Sequence, residues 1–205
     1  MRRRSAPQGV ILWDMESLNE TPRSPESPPF HIEELSTERV PEYSSDIISI
    51  YRQGWMDTYP NEGLGISKGD IASRFENEAA LSEEWDKLLR SPDRHTWVAT
   101  DSGGAVAGFC IAKTGGNENE LEYIYLAQDA RGKGLGDAFM RKAIAWLGEE
   151  KPIALYGASY NAHAMEFYEG FGFRLSDEAV PPKELPNGTR LPSMKMVRAP
   201  HPANV

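Results

Sequence analysis

The sequence has little cysteine, no long apolar run and a shortage of positive charge, and each of these excludes a class of protein. Cys110 is the one cysteine in 205 residues, which excludes an internal disulfide framework and a cysteine-rich zinc site. No apolar run approaches the roughly 18 residues that a membrane-spanning helix needs. Near the start, the run Val10–Trp13 is too short for a secretory signal, so we expect a cytoplasmic protein with no membrane partner.

Acidic residues outnumber basic ones by 31 to 22, and the net charge is −9 at pH 7. A strong general nucleic-acid binder needs a basic face, so nucleic acid is not expected as a partner. An acidic surface attracts cationic small molecules or basic peptides, although solubility alone also accounts for such a charge. Residues 1–29 hold four basic and four acidic side chains, so the whole excess of negative charge lies in the rest of the chain.

Proline marks both ends of the chain and divides it into three parts. The segment up to Pro29 is rich in proline, serine and glutamate and cannot bury apolar surface, so residues 1–29 are predicted to form a mobile N-terminal tail. The length predicts a single domain, which we place at residues 30–198. Residues 199–205 are predicted to be a C-terminal tail.

The apolar pattern predicts a mixed α+β domain built around one sheet. A strand begins near Phe30, a helix begins at Pro41, and a second helical stretch runs from about Ser67 to just before Pro92. Three meandering strands follow, connected by turns at residues 102–104 and 114–119. The remaining predicted elements are a helix from Leu135, a strand after Pro152, a helix with Asn161 as N-cap and Gly170 just beyond its end, and strands near residues 173–175 and 193–198.

Alternation along the third meandering strand divides its side chains between two faces. One face is predicted to carry Glu120, Glu122, Ile124 and Leu126, and the other Leu121, Tyr123 and Tyr125. Two carboxylates and two apolar side chains would then point the same way.

This strand runs into a glycine-rich turn, Arg131-Gly-Lys-Gly-Leu-Gly136, and then directly into an amphipathic helix. Glycine lets the backbone bring N–H groups close to a ligand, and the free N–H groups at a helix start favour an anion such as phosphate. The spacing is not that of a Walker P-loop, and Asp137 stands where a dinucleotide-binding fingerprint needs its third glycine. The turn alone leaves open a connection without any ligand.

Three motifs in this order resemble the GCN5-related N-acetyltransferase (GNAT) superfamily. The turn fits the superfamily's acyl-CoA pyrophosphate signature, R/Q-x-x-G-x-G/A, and the strand from Glu120 looks like its fourth strand. Downstream, residues 161–173 resemble N-x-x-A-x-x-F-Y-x-x-x-G-F. The resemblance covers residues 30–198 and implies a mixed, mostly antiparallel sheet flanked by helices. It also implies acetyl-CoA in a splay between the fourth and fifth strands, and no metal.

The resemblance implies which residues bind acetyl-CoA. Backbone groups of Ile124, Tyr125 and Leu126 are expected to pair with the pantetheine arm as a strand would. Asn161 is expected to touch the same arm, or to serve as a plain helix N-cap. The N–H groups expected to hold the pyrophosphate are those of Gly132, Lys133, Gly134, Leu135, Gly136 and Asp137. Arg131 and Lys133 would add positive charge there, or lie solvated.

The same resemblance implies the catalytic residues. Tyr168 stands at the position of the general acid that protonates the departing thiolate, with core packing as the alternative. A phenol with a pKa near 10 can donate to an adjacent thiolate with a pKa of about 8.5. Glu120 aligns best with the general base on the fourth strand and Glu122 is the second candidate, with two solvated or salt-bridged carboxylates as the alternative. Some members use a glutamate five residues before the asparagine, a position that is Tyr156 here.

In this family, acceptor specificity depends on the helices that correspond to those predicted before residue 92 of this sequence. Trp55, Tyr59 and the loop 60–65 are therefore candidate acceptor-binding residues, with core or lid packing as the alternative. His95 and His163 lack partners at metal-ligand spacing, so we assign them no metal. A lone strand cysteine is expected to pack rather than to carry an acyl group.

The resemblance thus predicts an enzyme, an acetyl-CoA-dependent acyltransferase that acetylates a primary amine by direct attack in a ternary complex. The acidity of the chain favours a polyamine or another small amine as acceptor. A protein N-terminus or lysine, an antibiotic amine, and a non-catalytic acyl-CoA-binding module stay open. The family is often dimeric, which is the only indication of a homodimer.

Overall fold

The structure, a computed structural model, describes residues 29–201. The predicted N-terminal tail lies outside the described residues apart from Pro29, and so do residues 202–205 of the predicted C-terminal tail. Among the helices of residues 29–201, none has the length and apolar composition that crossing a bilayer requires.

The described residues form nine strands and five α-helices, joined by turns and short 3-10 helices. The strands are β1 (Phe30–Glu34), β2 (Arg94–Asp101), β3 (Val106–Lys113), β4 (Asn119–Leu126), β5 (Ile153–Ala158), β6 (Phe173–Leu175), β7 (Lys183–Glu184), β8 (Arg190–Leu191) and β9 (Ser193–Arg198). The helices are α1 (Val40–Thr58), α2 (Lys68–Ala72), α3 (Glu78–Leu89), α4 (Leu135–Leu147) and α5 (Ala162–Gly170).

Seven of the strands form one sheet in the order β1-β2-β3-β4-β5-β9-β6, and β7 pairs with β8 in a separate hairpin. Neighbouring strands are antiparallel except β4 and β5, which run parallel. These two are paired only at Asn119–Ile153 and Glu120–Ala154, although they are eight and six residues long. Beyond Glu120 they separate, so the predicted α+β fold with a splay between the fourth and fifth strands is confirmed.

Helices cover both faces of the large sheet and create two apolar cores. On one face, α1 to α3 pack around Tyr51, Trp85 and Phe109, each at most 1% exposed. On the other face, α4 and α5 pack over Phe139 and Leu155. The central strands are therefore held from both sides, and only the gap between β4 and β5 interrupts the sheet.

A β-bulge at Glu122 overturns the predicted division of β4 side chains between two faces. Its two neighbours, Leu121 and Tyr123, pair with consecutive residues of β3, so Glu122 is the extra residue. One added residue reverses the alternation. Leu121, Ile124 and Leu126 lie together in the core beneath α4. Glu120 lies on the opposite face of the sheet, beside Tyr123. The prediction that both glutamates share a face with the apolar residues is therefore wrong.

The helical stretch predicted after Ser67 consists of two helices. α2 ends at Ala72, a 3-10 turn follows, and α3 begins at Glu78. The side chain of Asn77 accepts a hydrogen bond from the N–H of Ala80 at 3.1 Å, which satisfies a donor that a helix start leaves free. The β7–β8 hairpin is missing from the prediction because its strands are only two residues long.

The end of α5 also differs from the prediction, because the left-handed residue is Gly172 and not Gly170. Gly170 is the last residue of α5, and Gly172 has a φ of +85°. A side chain at such a φ brings its Cβ too close to the backbone, whereas glycine adopts it freely.

We expect Gly172→Ala to destabilise the fold by about 1–2 kcal/mol, because alanine is strained at positive φ. The matched variant Gly170→Ala should stabilise it by up to about 1 kcal/mol, since alanine is the better helix former. No atom lies within 4 Å of a Cβ added at Gly170, so the gain is not offset by a clash. Urea denaturation followed by circular dichroism measures both changes, and equal effects of the two substitutions would contradict this assignment.

Candidate active site

The separation of β4 and β5 opens a cavity of about 430 Å³, which we call the splay cleft. Its walls come from both strands, the end of α1 and the start of α5. The predicted site residues that line it are Tyr59, Glu122, Ile124, Tyr125, Leu126, Arg131, Asn161 and Tyr168. Because β4 and β5 are unpaired beyond Glu120, the backbone at residues 124–126 has a free edge on which an extended ligand can add as a strand.

A second cavity, of about 200 Å³, adjoins the splay cleft, and we call it the aromatic pocket. The six aromatic residues that line it are Tyr51, Trp55, Tyr59, Tyr123, Tyr125 and Tyr156. The charged residues that line it are Glu120, Glu122 and Lys183. Both cavities share a wall formed by Tyr59, Glu122, Tyr125, Tyr156, Gly157 and Ala158, and they are therefore contiguous.

The glycine-rich turn presents its backbone to solvent at one end of the splay cleft. Gly132 and Gly134 have φ values of +73° and +79°, and Gly134 is the N-cap of α4. The N–H groups of residues 132–137 donate no hydrogen bond to another described residue. Free N–H groups at the start of a 13-residue helix form an anion-binding site.

Arg131 is the one residue of residues 131–137 that lines the splay cleft. Its guanidinium lies 2.8 Å from Asp57 Oδ2, a residue of α1, and 3.4 Å from the carbonyl oxygen of Leu126. Among the described residues Lys133 forms no ion pair. The predicted charges are thus both present at the turn, but Arg131 is partly neutralised by a carboxylate across the cleft.

Asn161 and Tyr168 come from α5 and line the same cleft. Asn161 caps the helix, since its Oδ1 accepts a hydrogen bond from the N–H of Ala164 at 3.2 Å. The Tyr168 hydroxyl makes no hydrogen bond with another described residue. Burial, followed by the neighbouring Tyr59 and Cys110, raises the pKa of Tyr168 above its ordinary value. Tyr168 therefore stays protonated and is free to donate.

The two glutamates on β4 have different environments. Glu122 is held by a bidentate ion pair with Arg94, at 2.6 Å and 2.8 Å, and its side chain is only 11% exposed. Glu120 forms no ion pair or hydrogen bond with another described residue. Burial, and then the charge of Glu122, raises the pKa of Glu120. Glu120 is therefore the carboxylate that is available to accept a proton. Glu122 is salt-bridged, which is the alternative that the sequence analysis gave for both glutamates.

The predicted acceptor-binding residues lie partly in the aromatic pocket. Trp55 and Tyr59 both line it, with ring centroids 4.4 Å apart, whereas residues 60–65 line neither cavity. The carbonyl oxygen of Tyr59 accepts a hydrogen bond from the Tyr160 hydroxyl at 2.8 Å. This bond fixes the end of α1 to the segment that precedes α5, and so joins the walls of both cavities.

Two site residues are not identified by the sequence. Asp57 is 74 positions from its partner Arg131, and nothing in the sequence pairs them. Lys183 is placed in the aromatic pocket by the unpredicted β7–β8 hairpin. The proline-rich composition near residues 181–186 is the only available signal, and it indicates a turn region without indicating where that region packs.

The described part of the chain contains no cluster of side chains that could bind a metal ion and no accessible thiol. No group of three His, Cys, Asp or Glu side chains in residues 29–201 is arranged to hold a metal ion. Cys110 is fully buried in the core beneath α4, and burial raises the pKa of its thiol. Its surroundings are those of a packing residue.

The free strand edge in the splay cleft and the exposed backbone N–H groups at the start of α4 together suit an extended ligand that carries phosphate. The sequence model of the acetyltransferase (GNAT) family matches residues 51–173, more than half of the chain, and the chain belongs to this family. The predicted class, an acetyl-CoA-dependent acyltransferase, is thereby confirmed. No curated protein matches the sequence.

Solved structures share the fold at low sequence identity. The PaiA N-acetyltransferase from Thermoplasma acidophilum, in complex with coenzyme A, has a TM-score of 0.55 at 19% identity, over 83% of this chain and 98% of that one. The ribosomal-protein-S18-alanine N-acetyltransferase from Escherichia coli has a TM-score of 0.55 at 20% identity, over 86% and 98%. The spermidine N-acetyltransferase from Vibrio cholerae, in complex with CoA and spermine, has a TM-score of 0.55 at 18% identity, over 83% and 95%. At these identities the similarity extends to the fold alone.

Proposed function

We propose that this chain transfers the acetyl group of acetyl-CoA to a primary amine by direct attack in a ternary complex, with a polyamine or another small amine as acceptor. The observation that carries the proposal is the contiguity of the two cavities. The splay cleft offers a free strand edge and an anion-binding turn. The aromatic pocket offers aromatic faces and carboxylates, which suit a cation.

In this proposal the donor is held mainly by backbone groups. Ile124, Tyr125 and Leu126 pair with the pantetheine arm along the free edge of β4, and the side chain of Asn161 borders the same cleft. The N–H groups of residues 132–137 bind the pyrophosphate, which supplies the acceptor oxygens that these donors lack among the described residues. Acetyl-CoA supplies the activated acetyl group as a thioester.

Two side chains move the protons. Glu120, which has no ion-pair or hydrogen-bond partner among the described residues and faces the aromatic pocket, removes a proton from the acceptor ammonium and leaves a neutral amine. Tyr168, in the splay cleft, donates its hydroxyl proton to the leaving thiolate, and the second proton that the nitrogen loses as the amide forms restores the hydroxyl. Glu122 stays paired with Arg94 and keeps the bulged part of β4 in place.

The aromatic pocket supports a cationic acceptor. A cation over an aromatic face gains about 0.5–2 kcal/mol, and the pocket adds two carboxylates. A protein lysine is the second candidate acceptor, because the butylammonium group of Lys183 already lies in this pocket.

The test is the release of CoA thiol from acetyl-CoA in the presence of diamines, polyamines, lysine peptides and free N-terminal peptides. Turnover with at least one primary amine, and an acetylated product by mass spectrometry, is the expected result. Calorimetric binding of CoA without turnover on any amine would favour a non-catalytic acyl-CoA-binding module. Failure to bind CoA at all would refute the assignment of the splay cleft.

Gly134→Ala should raise the Kd for CoA about tenfold, because distorting a left-handed turn by 1–2 kcal/mol displaces the N–H groups that meet the pyrophosphate. Gly104 is the matched control, with a φ of +84° in the turn between β2 and β3 and no place in either cavity. Gly104→Ala should impose a similar strain and leave the Kd unchanged. Isothermal calorimetry measures both, and an equal loss of affinity in the two variants would argue against binding at the turn.

A further inference from the structure

The aromatic pocket already contains an amine of the chain itself. Lys183, in β7, lines the pocket together with Glu120 and Tyr156. Its Nζ lies 5.2 Å from the ring centroid of Trp55, which is the geometry of a cation–π contact. Among the described residues this ammonium forms no ion pair and no side-chain hydrogen bond.

The surroundings of Lys183 favour its neutral, nucleophilic form. Lys183 as a whole is exposed, but partial desolvation of its ammonium against the pocket, and then the positive charge of Arg74, lower the pKa of Lys183, while Glu84 acts weakly in the opposite direction. The Arg74 guanidinium lies over the same Trp55 ring at 5.0 Å. Two cations therefore lie over one aromatic ring, and the lysine can relieve their repulsion by losing a proton.

Lys195, on β9 of the large sheet, provides a contrast. Its Nζ lies 3.0 Å from Glu118 and 2.7 Å from Glu178, and these carboxylates raise its pKa well above the ordinary value. Lys195 is therefore held as a charged, structural lysine. Among the residues that the structure describes, Lys183 forms no ion pair with a carboxylate, and it lies on a two-residue strand that pairs with β8.

We propose that Lys183 is an internal acceptor, so that the enzyme acetylates its own Lys183 in the aromatic pocket when no external amine is bound. The inference rests on the proposed function. The Lys183 Nζ forms an amide bond to the acetyl carbon, the thioester C–S bond breaks, and CoA leaves as the thiol. The proton lost from the lysine passes to Glu120, and the thiolate takes its proton from Tyr168. Acetylation removes the positive charge and places an amide in the pocket, which competes with an external amine.

The experiment uses the full chain incubated with acetyl-CoA and no added amine, followed by peptide mass spectrometry. Lys68, at the exposed start of α2, reports the uncatalysed background in the same sample. Acetylation of Lys183 should be at least about tenfold faster than that of Lys68, because an amine held in the site reacts as an intramolecular group. The rate constant should not depend on protein concentration. Equal labelling of the two lysines, or a first-order rate constant that rises in proportion to protein concentration, would overturn the proposal.

Two further measurements separate this proposal from the function on which it rests. Lys183→Arg should abolish the rapid label, whereas the control Lys68→Arg should retain it. Competitive labelling by acetic anhydride, without acetyl-CoA, should show Lys183 reacting at lower pH than Lys68, and identical pH profiles would count against it. A protein that acetylates an external amine but not Lys183 refutes only the internal acceptor. A protein that acetylates neither refutes both.

Discussion

Replacement of Glu120 by glutamine should lower kcat by about two orders of magnitude, which is typical for the loss of a general base. Glutamine keeps the size and polarity of the side chain and cannot accept the proton of the amine. Glu120 lies at the last paired position of β4 and β5, beside the aromatic pocket, and forms no ion pair or hydrogen bond with another described side chain. The loss should therefore appear in kcat, measured by thiol release with a saturating amine acceptor.

The pH dependence provides a separate check on Glu120. Its pKa lies above the ordinary 4.5, chiefly because of burial. A base works only when ionised, so kcat/KM should fall as the pH drops through this raised pKa, and Glu120→Gln should lose that limb of the profile. For stability, the folded state binds this proton more tightly than the unfolded chain does, so stability is lost as the pH rises to the folded pKa. The glutamine variant should therefore keep its Tm at neutral pH or gain slightly.

Glu122 is the matched control on the same strand. Glu122→Gln weakens the ion pair with Arg94, whose side chain is 19% exposed, and should cost about 1–3 kcal/mol of stability. Its kcat, measured below the shifted melting transition, should fall less than that of Glu120→Gln. A larger fall in kcat for Glu122→Gln than for Glu120→Gln would indicate that Glu122 is the general base.

Local motifs allowed much of this molecule to be predicted from sequence. The glycine spacing at residues 132–136 and the capping asparagine at position 161 act over a few residues, and the structure has the expected turn and N-cap. Helical periodicity in residues 135–147 predicts an apolar stripe of Leu135, Phe139, Ala143, Trp146 and Leu147 that faces the sheet. Leu135, Phe139 and Ala143 are buried as this stripe requires. Trp146 belongs to the predicted stripe but is 36% exposed and stacks on His95 at 5.0 Å.

Features that depend on pairing between distant segments escaped prediction. The bulge at Glu122 arises where β4 registers with β3, and a strand read alone gives no sign of an added residue. The bulge determines on which face of the sheet Glu120 lies, and therefore which cavity Glu120 lines. The ion pair of Arg94 with Glu122 joins two strands, and the placement of Lys183 depends on a two-residue strand. Each of these features depends on contacts between segments that are far apart in the sequence.

Tyr168→Phe should also lower kcat by about two orders of magnitude, because it removes the one hydroxyl that we assign to protonate the thiolate. The ring should stay in place, packed against Phe167 and Phe173 with centroid distances of 5.4 Å and 6.1 Å. Since that hydroxyl makes no hydrogen bond with a described residue, its removal leaves no buried partner unsatisfied, and stability should change by less than about 1 kcal/mol.

The matched control for Tyr168→Phe is Tyr156→Phe, which removes a hydroxyl from a half-exposed tyrosine on β5 that lines both cavities. A general effect of polarity in the site would lower kcat in both variants, whereas proton donation to the leaving group would lower it only at Tyr168. A phenol with a raised pKa is a weaker acid than free tyrosine, so donation depends on its position beside the thiolate and not on its acidity. A more acidic thiol leaves without needing protonation to the same extent. With an acyl donor of that kind, the difference in kcat between wild type and Tyr168→Phe should therefore be smaller. Turnover of Tyr168→Phe at the wild-type rate with acetyl-CoA would remove this residue from the mechanism and return it to the packing role that the sequence left open.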